Sequence, residues 1–319
     1  TKIDLKLPAY ASYPISLWYS NSAKKLIALN AFGRRLYFID PANAKILKEE
    51  KVDGWTRYVA GGDAASLAVV HRSNSSDLLM VDPATLEATY IPYTDTETRI
   101  FSSPQMVIGD EELGRIYVAN LDLGNIIVID GKNLSVAAQI KMGADPQVMV
   151  LNDKTKKIYV THPTENIVAV IDTSQGKYPT KVIPVNGTPY SITINKVTNK
   201  VYAVLAATKQ VAVIDGATDT LLTTIDLGPR SSFPLVVSVN EKKNKVYIVN
   251  YGGDSIMAID GEAQKVEKVI TVGEKPIWVR YHPELDQIYV SVEGDKKIVI
   301  INLNTYEIAQ TFAIGAPPY

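Results

Sequence analysis

The chain has 319 residues, of which 46% are apolar and 21% charged, a composition typical of a folded globular protein rather than a disordered one. Lys and Arg number 33 and Asp and Glu number 34, so the net charge of -1 gives no field that attracts a polyanion, and nucleic acid is disfavoured as a partner. The absence of cysteine excludes disulfides, thiolate metal sites and a cysteine nucleophile. No apolar run reaches the roughly 20 residues that a transmembrane helix needs. Because the chain begins at Thr1 with neither an initiator methionine nor a signal peptide, we expect a mature or trimmed chain.

A repeat of about 42 residues runs along the chain. Most units contain a Tyr within a short apolar run, and a second apolar run follows and ends in an acid or amide. Seven such endings predict seven units: Asp40, Asp82, Asp130, Asp172, Asp215, Asp260 and Asn302.

Each unit predicts four strands. In the fourth unit they are expected at 146–151, 157–162, 167–172 and 181–185, each about the length of an average strand. Four strands in a unit of this length are typical of a propeller blade, whose two faces are covered by its neighbours. We therefore predict an all-β fold, a seven-bladed β-propeller of four-stranded antiparallel blades, as a single domain over residues 1–319 with almost no helix. Residues 2–7 alternate like a fourth strand and are expected to help close the ring, replacing or supplementing 307–314.

The second strands carry a recognisable motif. They read IYVAN at 116–120, IYVTH at 158–162 and VYIVN at 246–250, which resembles the Tyr-Val-Thr-Asn signature of the YVTN-repeat propeller family. The resemblance covers nearly the whole chain and is closest in units three to seven. It implies a secreted, periplasmic or cell-surface protein, similar to surface-layer propellers. It implies no particular chemistry, because related propellers include lactonases, streptogramin lyase, haem d1 carriers and adhesion modules.

Most of the seven strand-ending acids and amides precede clear turns, as in Asp40-Pro41 and Asp130-Gly131. A short polar side chain there can accept hydrogen bonds from backbone N–H groups of the turn, so we assign these residues a structural role. The same reasoning covers Asn195 and Asn240 at the first-to-second strand turns.

Strand direction predicts one binding face. First strands begin, second strands end and third strands begin at the same end of every blade, which we call the mouth face because the central channel opens there. The second strands are expected to end at Asn30, His71, Asn120, His162, Leu205, Asn250 and Val292. The two His can bind a metal or act in acid–base chemistry. The alternative is structural, because Asn and His tolerate the φ > 0 conformation of turns. The third histidine, His282, is expected on the opposite face.

Two connections are longer than the others, 92–103 and 228–233, and both fall on the mouth face. They bring Arg99, Phe101, Arg230 and Phe233, while neighbouring connections bring Tyr10, Tyr13, Trp55, Arg57 and Lys275. Aromatic and cationic side chains together suit an anionic or flat conjugated ligand. The candidate ligand-binding residues are Tyr13, Trp55, Arg57, His71, Arg99, Asn120, His162, Arg230, Phe233 and Asn250. Trp18 and Trp278 lie within first strands and are expected to pack between blades.

The sequence contains no Gly-x-Ser-x-Gly, His-Glu-x-x-His, phosphate-loop or paired-Cys motif, and no cofactor or metal ligand is assigned. Acidic groups near the mouth face are available at Asp122, Asp145, Glu165, Asp254 and Glu293. The sequence favours an exported or cell-surface propeller that binds a small molecule or a protein partner at the mouth face. One alternative is a propeller lactonase or lyase with a metal-assisted or His/acid site at the same mouth, and another is a purely structural surface module.

Overall fold

A computed structural model describes residues 14–20, 23–30, 34–43, 45–52, 56–62, 67–72, 78–91, 104–110 and 112–313. For 14–18, 30, 56–62, 67–72, 78, 91 and 104 the description covers the backbone alone. The described residues are almost entirely β-strand and turn, and their one helix is the 3-10 turn Tyr251–Gly253. No helix in this part of the chain is long and apolar enough to cross a membrane.

The strands group into seven sheets. In chain order, the first three are β1 Pro14–Ser20, β2 Lys25–Asn30, β3 Arg35–Asp40, β4 Lys45–Lys51; β5 Thr56–Gly62, β6 Leu67–Arg72, β7 Leu78–Asp82, β8 Glu87–Ile91; and β9 Pro104–Asp110, β10 Arg115–Asn120, β11 Asn125–Asp130, β12 Val136–Lys141. The other four are β13 Met149–Asn152, β14 Lys157–His162, β15 Ile167–Asp172, β16 Thr180–Pro184; β17 Pro189–Asn195, β18 Lys200–Leu205, β19 Gln210–Asp215, β20 Thr220–Asp226; β21 Pro234–Asn240, β22 Lys245–Asn250, β23 Ser255–Asp260, β24 Lys265–Thr271; and β25 Pro276–His282, β26 Gln287–Val292, β27 Lys297–Asn302, β28 Glu307–Ala313.

Each sheet is a four-stranded antiparallel meander in which consecutive strands pair. The chain divides into two compact units, Thr1–Met149 and Val150–Tyr319. Within the second unit, β17 packs against β21 and β21 against β25, whereas β20 and β24 meet only sparsely, so first strands are inner and fourth strands outer. This arrangement confirms an all-β propeller with four-stranded antiparallel blades. Closure into one ring of seven blades and a single domain over 1–319 stay predictions, and the closing segment 2–7 lies outside the described residues.

The fourth unit shows how closely the strand prediction matches. Strands β14 and β15 have the predicted bounds, and β16 begins one residue earlier than predicted. Strand β13 begins at Met149 instead of at 146, so it is shorter than the first strands that start directly at a proline, such as β17 and β25. The N–H of Met149 donates to Sδ of Met106 at 3.2 Å, which gives this backbone group a partner outside the ladder.

The core comes from second and third strands, which are covered on both faces. Strands β18 and β19 are buried along nearly their whole length, and Tyr117, Tyr159, Tyr202 and Tyr247 are among the largest fully buried side chains. Central strands read as continuous apolar runs rather than alternating ones because both faces are covered. The expectation that Trp278 packs between blades is wrong, since 52% of this residue is exposed. The side chain of Trp18 is outside the description.

The structural role of the strand-ending acids and amides is confirmed in every unit. At the end of β3, Oδ1 of Asp40 accepts a hydrogen bond from the N–H of Ala42 at 3.0 Å. The equivalent bond is present at all the other third-strand ends: Asp82, Asp130, Asp172, Asp215, Asp260 and Asn302.

A second set of polar contacts ties neighbouring blades of the second unit at the end opposite the mouth face, which we call the turn face. The last residue of a first strand donates from its Nδ2 to the turn of the next blade: Asn152 to Asn199 at 2.7 Å, Asn195 to Asn244 at 2.9 Å and Asn240 to Asp286 at 3.1 Å. Oδ1 of Asn195 also accepts from the N–H groups of Val197 and Thr198. The predicted structural role of Asn195 and Asn240 is thereby confirmed, with the inter-blade bond in addition.

Candidate functional site

The second unit contributes seven described connections to the mouth face, one after each second strand and each fourth strand from β14 to β26. They cover residues 163–166, 185–188, 206–209, 227–233, 251–254, 272–275 and 293–296. Connections of this kind are free to vary because the paired strands below hold their ends. The connection after β20 is the longest of the seven and contains two predicted site residues, Arg230 and Phe233.

The second-strand ends are structural where their side chains are described. Strands β2, β10, β14, β18, β22 and β26 end at the expected residues. Strand β6 instead ends at Arg72, so His71 is its penultimate residue, and pairing of β6 with β7 aligns Arg72 rather than His71 with the other ends. Asn120, His162 and Asn250 are fully buried. The φ > 0 explanation for these residues is wrong, because Asn250 has φ -102° and neither Asn120 nor His162 has positive φ.

Hydrogen bonding explains the amides instead. Nδ2 of Asn120 donates to Oδ1 of Asn125 at 2.9 Å, and Nδ2 of Asn250 donates to Oγ of Ser255 at 2.9 Å. Each bond joins the end of a second strand to the start of the third. An amide that is buried and bonded in this way is part of the scaffold rather than a group available to a ligand.

Asn250 also holds the 227–233 connection in place. Its Nδ2 donates to the carbonyl oxygen of Arg230 at 2.9 Å, and its Oδ1 accepts from the N–H of Ser232 at 2.7 Å. Backbone bonds add to this, because the N–H of Tyr251 donates to the carbonyl of Phe233 at 3.3 Å and that of Gly252 to the carbonyl of Ser232 at 2.9 Å. The connection is therefore fixed to the β22–β23 hairpin from two sides.

The hairpin is shaped to receive the connection. Tyr251–Gly253 form a 3-10 turn, and a Cβ added at Gly253 would lie 2.0 Å from Nδ2 of Asn250 and 2.9 Å from the carbonyl oxygen of Arg230. Only glycine permits so close an approach of two backbones. The glycine at 253 and the longer 227–233 connection therefore fit each other.

A tight turn presents Arg230 at the surface. The N–H of Ser231 donates to the carbonyl of Gly228 at 3.0 Å, which closes a β-turn with Pro229 at its second position, where proline is favoured. The N–H of Gly228 in turn donates to Oδ1 of Asp226 at 2.8 Å. Ser231 is buried beneath the turn while Arg230 is exposed, so the guanidinium is displayed on a rigid support.

An aromatic pair lies beside it. Phe233 is 52% exposed and has φ 49°, a conformation that costs a bulky residue about 1 kcal/mol or more. Its ring meets that of Tyr251 edge-on, with centroids 6.0 Å apart. Lys275, which likewise directly precedes the proline of a first strand, has φ 54°, so this backbone conformation belongs to the blade and what distinguishes Phe233 is its exposed ring.

An open groove of about 460 Å³ adjoins Arg230. One wall is the segment that contains Leu227, Pro229 and Arg230, and the other is the outer strand β24, through Val266, Glu267, Lys268 and Val269. The volume is within the range of small-molecule sites. In the described part of the chain, the side chains of Arg230 and Lys268 form no ion pair.

The acid in the groove is already neutralised. Nζ of Lys245 lies 2.5 Å from Oε2 of Glu267 and 2.8 Å from Oδ2 of Asp260, and the hydroxyl of Tyr306 donates to Oε1 of Glu267. Burial works to lower the pKa of Lys245, but these two carboxylates outweigh it and the pKa is above its ordinary value. The hydrogen bond from Lys245 and backbone N–H groups lower the pKa of Asp260 to about 2. Burial and then Glu267 raise the pKa of Tyr306, so its hydroxyl stays protonated.

The structure brings Arg230, Phe233 and Asn250 together out of the ten predicted site residues. Tyr13, Trp55 and Arg99 lie outside the described residues, as do Tyr10 and Phe101 among the neighbours. Arg57 in β5 and His71 in β6 are described by their backbone alone. Asn120 and His162 lie at the mouth-face ends of β10 and β14, where both are buried.

Sequence reasoning missed two residues of this region. Tyr251 is the residue after the second-strand end, and the longer fourth-to-first connection beside it was a usable signal. Lys268 and the rest of β24 gave no signal, because an outer strand that mixes charged and apolar residues is typical of any blade. Among the described residues no group of three or more His, Asp or Glu is placed to hold a metal ion. Asp254 instead accepts from the N–H of Lys275 at 3.0 Å.

Comparison with known proteins shows the fold. No protein family and no curated protein matches the sequence. Among solved structures, dihydro-heme d1 dehydrogenase NirN in complex with DHE superposes with a TM-score of 0.77 at 14% identity, covering 97% of this chain and 68% of that one. A streptogramin B lyase gives 0.67 at 14%, covering 90% and 92%, and virginiamycin B lyase from Staphylococcus aureus gives 0.69 at 11%, covering 89% and 93%. Membership of the YVTN-repeat family stays a prediction, and at these identities the likenesses show that the chain has a β-propeller fold.

Proposed function

We propose that this protein is a non-catalytic binding propeller, exported or held at the cell surface, that takes a small molecule or a protein partner at the mouth face of its second unit. The observation that carries the proposal is the 227–233 connection, which is held at two of its residues by Asn250. A loop fixed in this way loses little conformational entropy on binding. The closing of seven blades into one ring and the extracytoplasmic location belong to the same proposal.

The exposed groups on this loop suit recognition. Phe233 and Tyr251 provide apolar ring surface, and Arg230 provides five donors in a planar fork. Rigid aromatic and Arg side chains dominate binding energy at interfaces. Asn250 supports the loop from below and is not itself a contact, which revises its predicted role from ligand binding to positioning.

Native mass spectrometry of the purified chain, with metal analysis of the same sample, is the first test. We expect a retained molecule whose occupancy falls about tenfold in Phe233→Ala, the loss that truncation of a good interface anchor produces. Phe312→Ala is the matched control, because Phe312 is also exposed, at 43%, but lies on the outer strand β28. If the sample carries no ligand, the two variants are instead compared by the shift in melting temperature that compounds of a metabolite library produce. Equal retention in both variants, or no stabilising compound, contradicts the proposal.

The competing function is a lyase, as in two of the structurally similar proteins. In this chain the predicted enzyme site consists of His71, His162 and nearby acids, and the side chain of His162 is fully buried at the end of β14. A substrate cannot reach a group in that position without movement of the surrounding strands. Cleavage of a streptogramin by the purified chain, abolished in His162→Ala, would overturn the binding-only proposal.

A further inference from the structure

The groove beside Arg230 has the composition of a site for an organic anion. Leu227 is 3% exposed and belongs to the core below the groove, so the apolar surface of the groove comes from Pro229, Val266 and Val269. The two cations that line the groove, Arg230 and Lys268, are both exposed and have no ionic partner in the described part of the chain. A cation that is not already paired can form a charge-assisted hydrogen bond with a ligand without first breaking one.

The third charge in the groove does not oppose an anion. Both oxygens of Glu267 are engaged, one by Lys245 and the other by the hydroxyl of Tyr306. The groove therefore carries an excess of positive charge although the whole chain is nearly neutral. The excess is local and lies next to apolar surface, so it favours a ligand with both characters over a polyanion.

The two walls are held apart by separate rigid elements. Strand β24 pairs with β23 on both sides of a β-bulge at Glu267, and the turn that carries Arg230 is fixed by its own hydrogen bond and by Asn250. A groove with walls set by backbone hydrogen bonds exists before the ligand arrives. Preorganisation of this kind lowers the entropic cost of binding.

We propose that this groove, bounded by 227–230 and β24, binds an organic anion with an apolar body, such as an aromatic or aliphatic carboxylate, sulfonate or phosphate. Arg230 and Lys268 contact the anionic group, and the Pro and Val side chains contact the body. This inference deepens the proposed function, on which it rests through the shared residue Arg230, by naming the ligand class.

The test uses the full chain and 1-anilinonaphthalene-8-sulfonate, a fluorescent probe with a ring body and one fixed negative charge. We expect saturable binding that weakens about tenfold or more in Arg230→Gln/Lys268→Gln, the effect of losing hydrogen bonds to a charged group. Lys265→Gln is the matched control because Lys265 is exposed on the same strand outside the groove, and it leaves binding unchanged. The uncharged analogue 1-anilinonaphthalene binds at least tenfold more weakly, and inorganic phosphate does not compete at equal concentration.

Methyl NMR locates the probe. The methyl resonances of Val266 and Val269 shift on titration, and those of Val197, which is 64% exposed on the turn face, do not. Urea midpoints of all variants verify that each is folded. Absence of saturable binding, equal binding by the double variant and wild type, equal binding of the uncharged analogue, or shifts at Val197 instead of the groove would each overturn the inference.

The two proposals fail in different ways. If Phe233→Ala loses the retained ligand but probe binding does not depend on Arg230 and Lys268, the groove proposal is wrong and the proposed binding function stands. If probe binding depends on Arg230 and Lys268 but Phe233→Ala and Phe312→Ala retain the ligand equally, the groove proposal stands and the proposed mouth-face function is wrong.

Discussion

The turn face and the mouth face of the second unit are built from the same repeat but use their polar residues differently. On the turn face, Asn152, Asn195 and Asn240 occupy equivalent positions and each bonds to the next blade. On the mouth face the equivalent second-strand ends are His162, Leu205, Asn250 and Val292. Asn250 holds the 227–233 loop, whereas the apolar side chains of Leu205 and Val292 have no group that could do so. A repeat therefore keeps one end for inter-blade stability and leaves the other end free to differ from blade to blade, which is where recognition can develop.

Replacing one buried amide on each face by alanine tests this comparison, and it has the largest expected effect on the free energy of unfolding. Asn195→Ala removes bonds to Val197, Thr198 and Asn244 from a fully buried group and is expected to cost about 3 kcal/mol of unfolding free energy. Asn250→Ala is expected to cost a similar amount, again about 3 kcal/mol. The difference lies in function, since only Asn250→Ala releases the 227–233 loop and weakens ligand binding.

Urea denaturation and hydrogen exchange separate these outcomes. The amide of Ser232, which donates to Asn250, exchanges faster in Asn250→Ala and at the wild-type rate in Asn195→Ala. Asn304→Ala is the control, because that residue is exposed and loses only a contact with Lys243. Unchanged protection of Ser232 in Asn250→Ala would show that the loop is held by its backbone bonds alone.

A smaller effect is expected on the stability of the protein at low pH, through the carboxylate of Asp260 near the groove. Asp260 has a folded-state pKa of about 2 against an unfolded value of roughly 3.9, so its contribution to stability is complete above about pH 4 and is lost as the pH falls towards 2. Because the carboxylate is partly exposed, screening keeps the contribution small. Lys245→Met removes the main cause of the lowered pKa of Asp260. The difference in unfolding free energy between wild type and variant therefore shrinks as the pH falls from 4 to 2.

Urea midpoints measured from pH 6 to pH 2 give the readout for this prediction. Lys265→Met serves as the control on the outer strand β24, and its midpoint follows the wild type at every pH. A stability difference for Lys245→Met that stays constant down to pH 2 would contradict the assigned coupling between Lys245 and Asp260.

Trp278 gives the smallest expected effect. A tryptophan packed between blades would cost roughly 3–5 kcal/mol on replacement by alanine. With 52% of the residue exposed, we expect Trp278→Ala to cost less than about 1 kcal/mol in a urea titration. A loss near the value for a buried tryptophan would restore the original expectation of packing. Phe38→Ala provides the reference for a fully buried aromatic side chain in a central strand.

Much of the blade was predictable because its signals are local. The third strands end at Asp40 and its six equivalents because an acid or amide there caps the following turn, and the cap needs only residues two or three positions apart. The second-strand ends were predictable to within one residue. At His71 the error arose because β6 extends to Arg72, and a strand that is one residue longer changes which residue aligns with the ring.

The candidate site was only partly predictable. The extra length of 227–233 identified Arg230 and Phe233, because an insertion between strands must emerge as a surface loop. Lys268 could not be found in this way, since it is distant in sequence and its outer strand resembles every other outer strand. Asn250 was predicted to bind ligand because its sequence position fits a ring of ligand-binding residues, whereas its hydrogen bonds to Arg230 and Ser232 favour a supporting role for the loop.

The sequence by itself determined the propeller fold, the four strands of each blade and the turns that connect them, because these depend on hydrophobic runs and capping residues that are close along the chain. Tertiary structure alone decided which polar groups are buried in bonds and which remain available. That distinction depends on contacts between segments some 20 to 50 residues apart, such as Asn250 with Arg230 and Asn195 with Asn244. A residue type and its spacing state what a group can do, and packing decides whether a ligand can reach it.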